Sequence, residues 1–509
     1  MTSAGLPSSR PSLALAVAGW PAILAVGCGG ATAGFFGWYA LISRAPRSGA
    51  FLELSFLGFL ALGIAGTLWL WHSYAAYFAR RTYLSYGEAL RWDALSWALL
   101  VVMWSALIAS FGANSTGRAV ALAIGLWGLA KLVVAARFNR TVRDVLITFV
   151  TTRVSIIVIA ELAAVVVGQR PGLHYAASSS NALAVWGRWD AEHYIGISVD
   201  GYSGTEPAFF PLYPLLIRLL ATFTGNHLIA GLLISNLASF FGLLFFYKLV
   251  EHQYNRQVAQ RAAFYISIFP TAIFFSAVYT ESLFFALTVA SFYYIRERHW
   301  VTAGIIGFFA ALTRVEGVLL ALPFFIEWIM VLIENRREIL RWPLDYLVRP
   351  IVGQVLVPLG LATYMAYLWV LRGDPLYFTH VQAHWGRHFA PPWVSVIHTV
   401  SVIAHAHSPI TIANQGEELA FTALMIAVLL AGIRRLRPSY WVYMAASILV
   451  PMCTSSLMSM PRFALVLFPM FALFGLWGSR PSANNAIVAF SLPLLGLFTV
   501  FFADWYWVA

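Results

Sequence analysis

Apolar runs long enough to cross a bilayer as helix recur along the 509-residue chain from end to end. Few folds tolerate that pattern, because backbone polar groups in lipid must be paired within a helix or a closed barrel. An outer-membrane barrel reads as short alternating segments, and none is visible. The residues are 60% hydrophobic and only 10% charged, where a soluble domain carries about a quarter charged. The expected fold class is all-α and polytopic.

Helices are expected near 13–43, 54–77, 95–111, 118–136 and 142–168. After a polar loop they resume near 228–249, 261–277, 281–296, 301–313, 318–333 and 347–371. A second loop precedes spans near 418–433, 439–455, 461–478 and 485–503, giving about 13–15 in all. Two long loops, 169–227 and 372–417, separate these groups. Residues 1–145 form a helical membrane module of unassigned role, in which Glu53, Glu88 and Asp93 are scattered. Residues 146–509 hold every polar cluster of interest.

Net charge is +11. With no zinc-finger spacing and no basic helix outside the membrane, that charge points to cytoplasmic loops and not to nucleic acid. Five basic connections carry it: Arg137, Arg140 and Arg143; Lys248, Arg256 and Arg261; Arg296 and Arg298; Arg336, Arg337 and Arg341; Arg434, Arg435 and Arg437. The alternation of spans puts all five on one side, the cytoplasmic one by the positive-inside rule. The long loops, "YTES", "TRVEG" and "MPRF" then share the opposite face. Cys28 and Cys453 lie in apolar segments and imply no disulfide framework.

The stretch "WGRWDAEHYIGISVDGY", Trp186 to Tyr202, sets Arg188, Asp190, Glu192, His193 and Asp200 among aromatic residues. As a helix it places Asp190, His193 and Tyr194 on one face. A carboxylate that loses solvent beside aromatics, with a cation near it, suits general-base work. A membrane-parallel amphipathic helix with solvated charges shows the same pattern. "AFFPLYPLLIR" follows, and Pro211 and Pro214 argue for a re-entrant or membrane-parallel segment over a straight span.

Glu281, Arg314 and Glu316 sit at the ends of spans. Ionisable residues there are functional candidates, and a structural Glu281–Arg314 ion pair is the plain alternative. His380, His384 and His388 would line one helix face, a possible metal spacing. No carboxylate lies within that run and Arg387 sits inside it, so a metal is not expected. Arg387 with a histidine suits a phosphate, and a solvated helix explains the run equally well. Arg462 in "MPRF" suits either a phosphate or a lipid headgroup.

"RWDAEHYIGISVDGY" followed by "AFFPLYPLLIR" resembles the signature of PIG-V-type mannosyltransferases, of the GT-C class of membrane glycosyltransferases. "YTESLFFAL", "LTRVEGVLLALP", "GDPLYF…HWGR" and "PRFALVLFP" follow in the same order as in bacterial relatives, and the resemblance spans roughly 145–480. Val315 departs from the proline or serine common after the arginine in relatives, and the N-terminal module is outside the recognised core.

The resemblance implies a GT-C-like helical bundle with extracytoplasmic catalytic loops. It implies a transferase that takes mannose, or another hexose, from a polyprenyl-phosphate donor. The acceptor is a lipid-linked or cell-envelope glycan, and the setting a bacterial cytoplasmic membrane with the active site facing outside. Transfer proceeds with inversion and no cofactor. Asp190 is the implied base, with His193 orienting it or binding acceptor. Arg314, Arg387, His384, Arg188 and Arg462 are candidates for the donor phosphate. Trp186, Trp189 and Trp385 are candidates for stacking on sugar, and Glu192, Tyr202, Glu281 and Glu316 for contacting substrate. A transporter or flippase of lipid-linked sugars is the rival from another class. It predicts midplane acids and repeat symmetry, and neither is apparent.

Overall fold

A computed structural model describes residues 49–79, 85–94, 139–167, 182–337 and 343–508, with shorter stretches between 26 and 137. Most of the expected spans at 13–43 and 95–111, about half of 118–136, Cys28 and the start of the first long loop lie outside the described residues. The described residues are almost wholly helical, and the polytopic all-α class holds.

The chain divides into two compact units, Met1–Asp144 with Phe223–Gly225, and Val145–Thr222 with Asn226–Ala509. In the first unit α1 spans Gly49–Ala79. There Lys131 pairs with the buried Asp93 and lies 4.5 Å from the Tyr74 ring centroid.

The second unit carries α2 (Arg140–Val166), which begins just before it, then α3 (Asp190–Asp200), α4 (Leu212–Thr224) and α5 (His227–Gln253). There follow α6 (Arg256–Ser267), α7 (Glu281–Arg296), α8 (Trp300–Ala311), α9 (Ala321–Glu334) and α10 (Leu344–Arg372). The last are α11 (Pro392–His405), α12 (Pro409–Gly432), α13 (Pro438–Met452), α14 (Met460–Val466), α15 (Phe468–Trp477) and α16 (Pro481–Ala503).

Seven described helices are long and apolar enough to cross a membrane, eight if α14 and α15, bent by 71°, count as one span. Expected spans near 13–43, 95–111 and 118–136 lie largely or partly outside the described residues, and several of the others are broken or short. The expected span 261–277 breaks at Pro270, giving α6 and a 3-10 turn Ala272–Phe275. Buried Arg153 of α2 repairs the break: it donates to Ser267 O at 3.0 Å, Ala272 O at 2.8 Å and Ser276 Oγ at 3.2 Å. Irregular backbone within an apolar bundle persists only with such partners. Segments α7, α8 and α13 are likewise short, at 16, 12 and 15 residues. The segment with Pro211 and Pro214 is a 13-residue helix, α4, too short to cross.

Close approach of backbones holds α8 against α10. A Cβ on Gly304 would lie 2.4 Å from Gly353 O, and one on Gly353 would lie 2.4 Å from Trp300 O. In lipid, where apolar burial drives little association, small residues let helices gain contact area. At the end of α7 away from Glu281, Arg437 grips the buried Glu327 of α9 through Nε at 2.5 Å and Nη2 at 2.8 Å.

Candidate active site

The site begins with a turn. Ala191 N donates to Arg188 O at 3.3 Å, so Arg188–Ala191 reverses the chain. Trp189 takes the first central position at φ 60°, ψ −126°, a conformation glycine normally fills. A side chain there costs about 1–3 kcal/mol. The Tyr279 hydroxyl staples the turn, donating to Arg188 O at 3.2 Å and accepting from Asp190 N at 3.2 Å. The Trp189 ring meets Trp505 at 5.5 Å and Trp507 at 5.4 Å. Asp190 thus opens α3, whose first turn also holds Glu192.

From Asp190 a chain of charges runs across the bundle. Arg462 of α14 donates from Nη1 to Asp190 Oδ2 at 2.6 Å and from Nε to Glu281 Oε1 at 2.8 Å. Arg314 donates from Nη1 to the same Glu281 oxygen at 2.9 Å and reaches Glu316 from Nε at 3.5 Å. Glu281, the first residue of α7, is fully buried. Three carboxylates against two guanidiniums leave this chain one negative charge. Aromatic faces cover the cations: Arg462 lies 4.9 Å from the Tyr279 centroid and Arg314 5.2 Å from that of Phe463. The start of α14 is anchored by another carboxylate, since Glu418 of α12 accepts from Ser459 N and Met460 N, each at 2.8 Å.

Asp190, Arg314, Glu316 and Arg462 line one cavity of about 1350 Å³ with Glu192, His193, His384 and Arg387. Phe378, Phe389, Leu449, Val450 and Met458 give it an apolar wall. Arg387 donates from Nη2 to Met458 O at 2.6 Å, while its Nε is buried without a partner. Burial lowers the pKa of this guanidinium. Glu192 has a buried Oε1 without a partner, and burial raises its carboxyl to about 7.

Ten sequence candidates meet at this cavity: Trp189, Asp190, Glu192, His193, Arg314, Glu316, His384, Trp385, Arg387 and Arg462. His193 stacks on Phe209 with centroids 4.5 Å apart; the side chain that bonds Asp190 is Arg462. Four candidates stand off it. Trp186 is buried, donating Nε1 to Glu161 Oε1 at 2.9 Å, with no face left for a sugar. Arg188 is buried with its guanidinium 5.2 Å from the Trp505 centroid, so it cannot reach a phosphate in the cavity. Tyr202 donates to Phe209 O at 2.8 Å. Glu281 lies behind the cavity wall, its one bonded oxygen taken by both arginines; the Glu281–Arg314 ion pair is real.

The histidine run does not form one helix. Gly386 turns left-handed at φ 67°, and His380 instead meets Asp374 at 2.7 Å. Among the described residues no three His, Cys, Asp or Glu side chains gather for a metal ion. Trp507 and Glu418 escaped the sequence reading. Glu418 carried a signal, being an acid inside an apolar span; the tail "DWYWVA" offered only aromatic density.

A multi-pass membrane protein with a buried acid–arginine chain opening on a large half-apolar cavity has the makings of an enzyme. Residues 128–367 match the family model described as mannosyltransferase (PIG-V). The match covers just under half of the chain, and over that region the chain is similar to PIG-V-type mannosyltransferases, which supports a hexosyltransferase enzyme. The matched region holds Asp190, Glu281 and Arg314; Arg387 and Arg462 lie beyond it. Among solved structures, the chain is similar to the Archaeoglobus fulgidus oligosaccharyltransferase with Zn and sulfate. Identity is 14% and the TM-score 0.32, over 69% of this chain and 52% of that one. It is similar too to the archaeal oligosaccharyltransferase AglB from Archaeoglobus fulgidus with an inhibitory peptide and a dolichol-phosphate. There identity is again 14% and the TM-score 0.32, over 69% and 55%. The chain spans about half the length of these structures. No curated protein matches it.

Proposed function

We propose that the protein transfers mannose, or another hexose, from a polyprenyl-phosphate donor to a lipid-linked or envelope glycan, with inversion and on the extracytoplasmic face. One observation carries the reading: Asp190 lines the cavity while its Oδ2 is held by Arg462 at 2.6 Å. Arg462 is shared with Glu281, so one buried guanidinium fixes the Asp190 carboxylate at the cavity surface.

In this mechanism an acceptor hydroxyl attacks the anomeric carbon and its proton passes to Asp190. The bond from that carbon to the phosphate oxygen breaks, and polyprenyl phosphate leaves. Arg387 meets the phosphate with its unpartnered Nε, with Arg314 and His384 on the same cavity. Preorganised donors aimed at growing charge lower the barrier. The guanidiniums supply the positive charge, so the reading requires no metal. The apolar wall accepts the first units of the polyprenyl chain. Orientation rests on α7, which begins at Glu281 beside the site and ends at Arg296; basic ends favour the cytoplasm.

The test is transfer from radiolabelled polyprenyl-phosphate mannose to a membrane acceptor fraction. Transfer by wild type and its collapse in folded Asp190→Asn supports the reading. Equal transfer by both removes Asp190 as base.

A further inference from the structure

The residues that bracket the strained turn come from the far end of α16. Trp505 and Trp507 both pack on the Trp189 ring, with centroids at 5.5 and 5.4 Å, yet of the two only Trp507 lines the cavity. Trp505 is buried, itself held at φ 64°, with the Arg188 guanidinium 5.2 Å from its centroid. Arg188 and Trp189 are two successive residues of the turn, so Trp505 touches both. Tyr279, which staples the backbone of that turn, has its hydroxyl on the Arg188 carbonyl and the Asp190 amide.

A tryptophan at a position that favours glycine does not stay there by itself. Left unsupported, it relaxes toward negative φ and rotates the start of α3. The first residue of α3 is Asp190, whose carboxylate must meet Arg462 at 2.6 Å. Small displacements of a reacting group carry large rate penalties.

We propose that Trp505 is a positioning residue: it braces Trp189 in its left-handed turn and so delivers Asp190 to Arg462 and the acceptor. This rests on the reading of Asp190 as base. Trp505 touches no substrate, so its loss slows the chemical step and leaves donor binding alone. The brace is needed because residue 189 has a side chain, so a glycine at 189 makes Trp505 largely dispensable.

The experiment measures kcat and donor KM with polyprenyl-phosphate mannose for the full chain in detergent. The variants are Trp505→Ala, Trp505→Phe, Trp189→Gly, Trp189→Gly/Trp505→Ala and Asp190→Asn. Trp505→Ala is expected to lower kcat about tenfold or more, with donor KM within about twofold. Trp505→Phe, which keeps a ring against Trp189, restores most of the rate. In the Trp189→Gly background the added Trp505→Ala change costs less than about threefold, a coupling that independent sites do not show. Where Trp505→Ala does not fold, Trp505→Leu takes its place in both backgrounds. Wild-type kcat in the Trp505 variant, or the same fractional loss in both backgrounds, overturns the proposal. Wild-type rates in Asp190→Asn defeat the base reading instead, and that arm is separate from the Trp505 comparison.

Discussion

Arg462 stands between two acids, 2.6 Å from Asp190 on the cavity and 2.8 Å from Glu281 behind it. Its removal strands a fully buried Glu281 beside Arg314 alone and frees Asp190 to turn. Arg462→Ala is expected to cost about 3–5 kcal/mol of stability, as breaking a buried pair does, and to abolish transfer. Arg462→Lys keeps one charge but not the two-way fork; it should fold and lose about a hundredfold or more in kcat. Thermal unfolding beside single-turnover rates separates the two effects.

Arg387 has an unused, buried Nε and no carboxylate within salt-bridge reach among the described residues. Arg387→Ala gives up the bond to Met458 O, so it should lower stability by about 1–3 kcal/mol and, in the protein that remains folded, cut kcat/KM for the polyprenyl-phosphate donor by about tenfold to a hundredfold. That is the loss of one charge-assisted hydrogen bond, about 1.5–3 kcal/mol. Steady-state kinetics with varied donor checks it; an unchanged kcat/KM removes Arg387 from the phosphate site.

Burial lifts Glu192 from 4.5 to about 7. The folded protein therefore holds this proton in a range where the unfolded chain has released it. The sign follows from linkage: stability from this group is intact below about pH 4.5 and declines as pH rises toward about 7. Glu192→Gln, uncharged throughout, should flatten that part of the curve and gain on wild type at pH 7. Melting temperatures at several pH values decide; parallel curves for the two proteins would exclude a buried Glu192.

Glu327 is buried in α9, and Arg437 meets it at 2.5 and 2.8 Å, with Arg296 at 3.6 Å. Arg437→Ala is expected to destabilise by about 3–5 kcal/mol, and the double change Glu327→Leu/Arg437→Leu to recover most of it. Denaturation in detergent measures both. Full additivity of the single changes would mean that the pair does not act as one unit.

Gly353 has room for no Cβ, since Trp300 O already occupies the space at 2.4 Å. Gly353→Val should force α8 and α10 apart and cost at least the upper end of about 1–3 kcal/mol. Gly416→Ala serves as control, because a Cβ there meets nothing within 4 Å. Yield and melting temperature of the two variants make the comparison.

The amphipathic and polar signals around residues 186–202 were readable because they break an apolar background. A charged residue in such a chain has few bland explanations, so Asp190, Arg314, Arg387 and Arg462 stood out and the fold brought them to one cavity. Sequence could not say which polar residues face inward. Trp186 and Arg188 sit four and two positions from Asp190, yet the turn at Trp189 sends them to its other side, away from the cavity. Breaks within the spans were hidden for a related reason. Hydropathy sees composition, whereas Pro270 and the bend between α14 and α15 interrupt helices whose residues stay apolar. The histidine spacing assumed a continuous helix, and Gly386 ends it.

Asp190 and the arginine it bonds are separated by 272 positions along the chain. A ribosome delivers the acid first, and many membrane insertions follow before its partner emerges. During that interval the nascent protein holds the carboxylate without the cation that sets its place. The ion pair is therefore closed only after most of the bundle has entered the bilayer, so the order of synthesis separates making the cavity from fixing its acid.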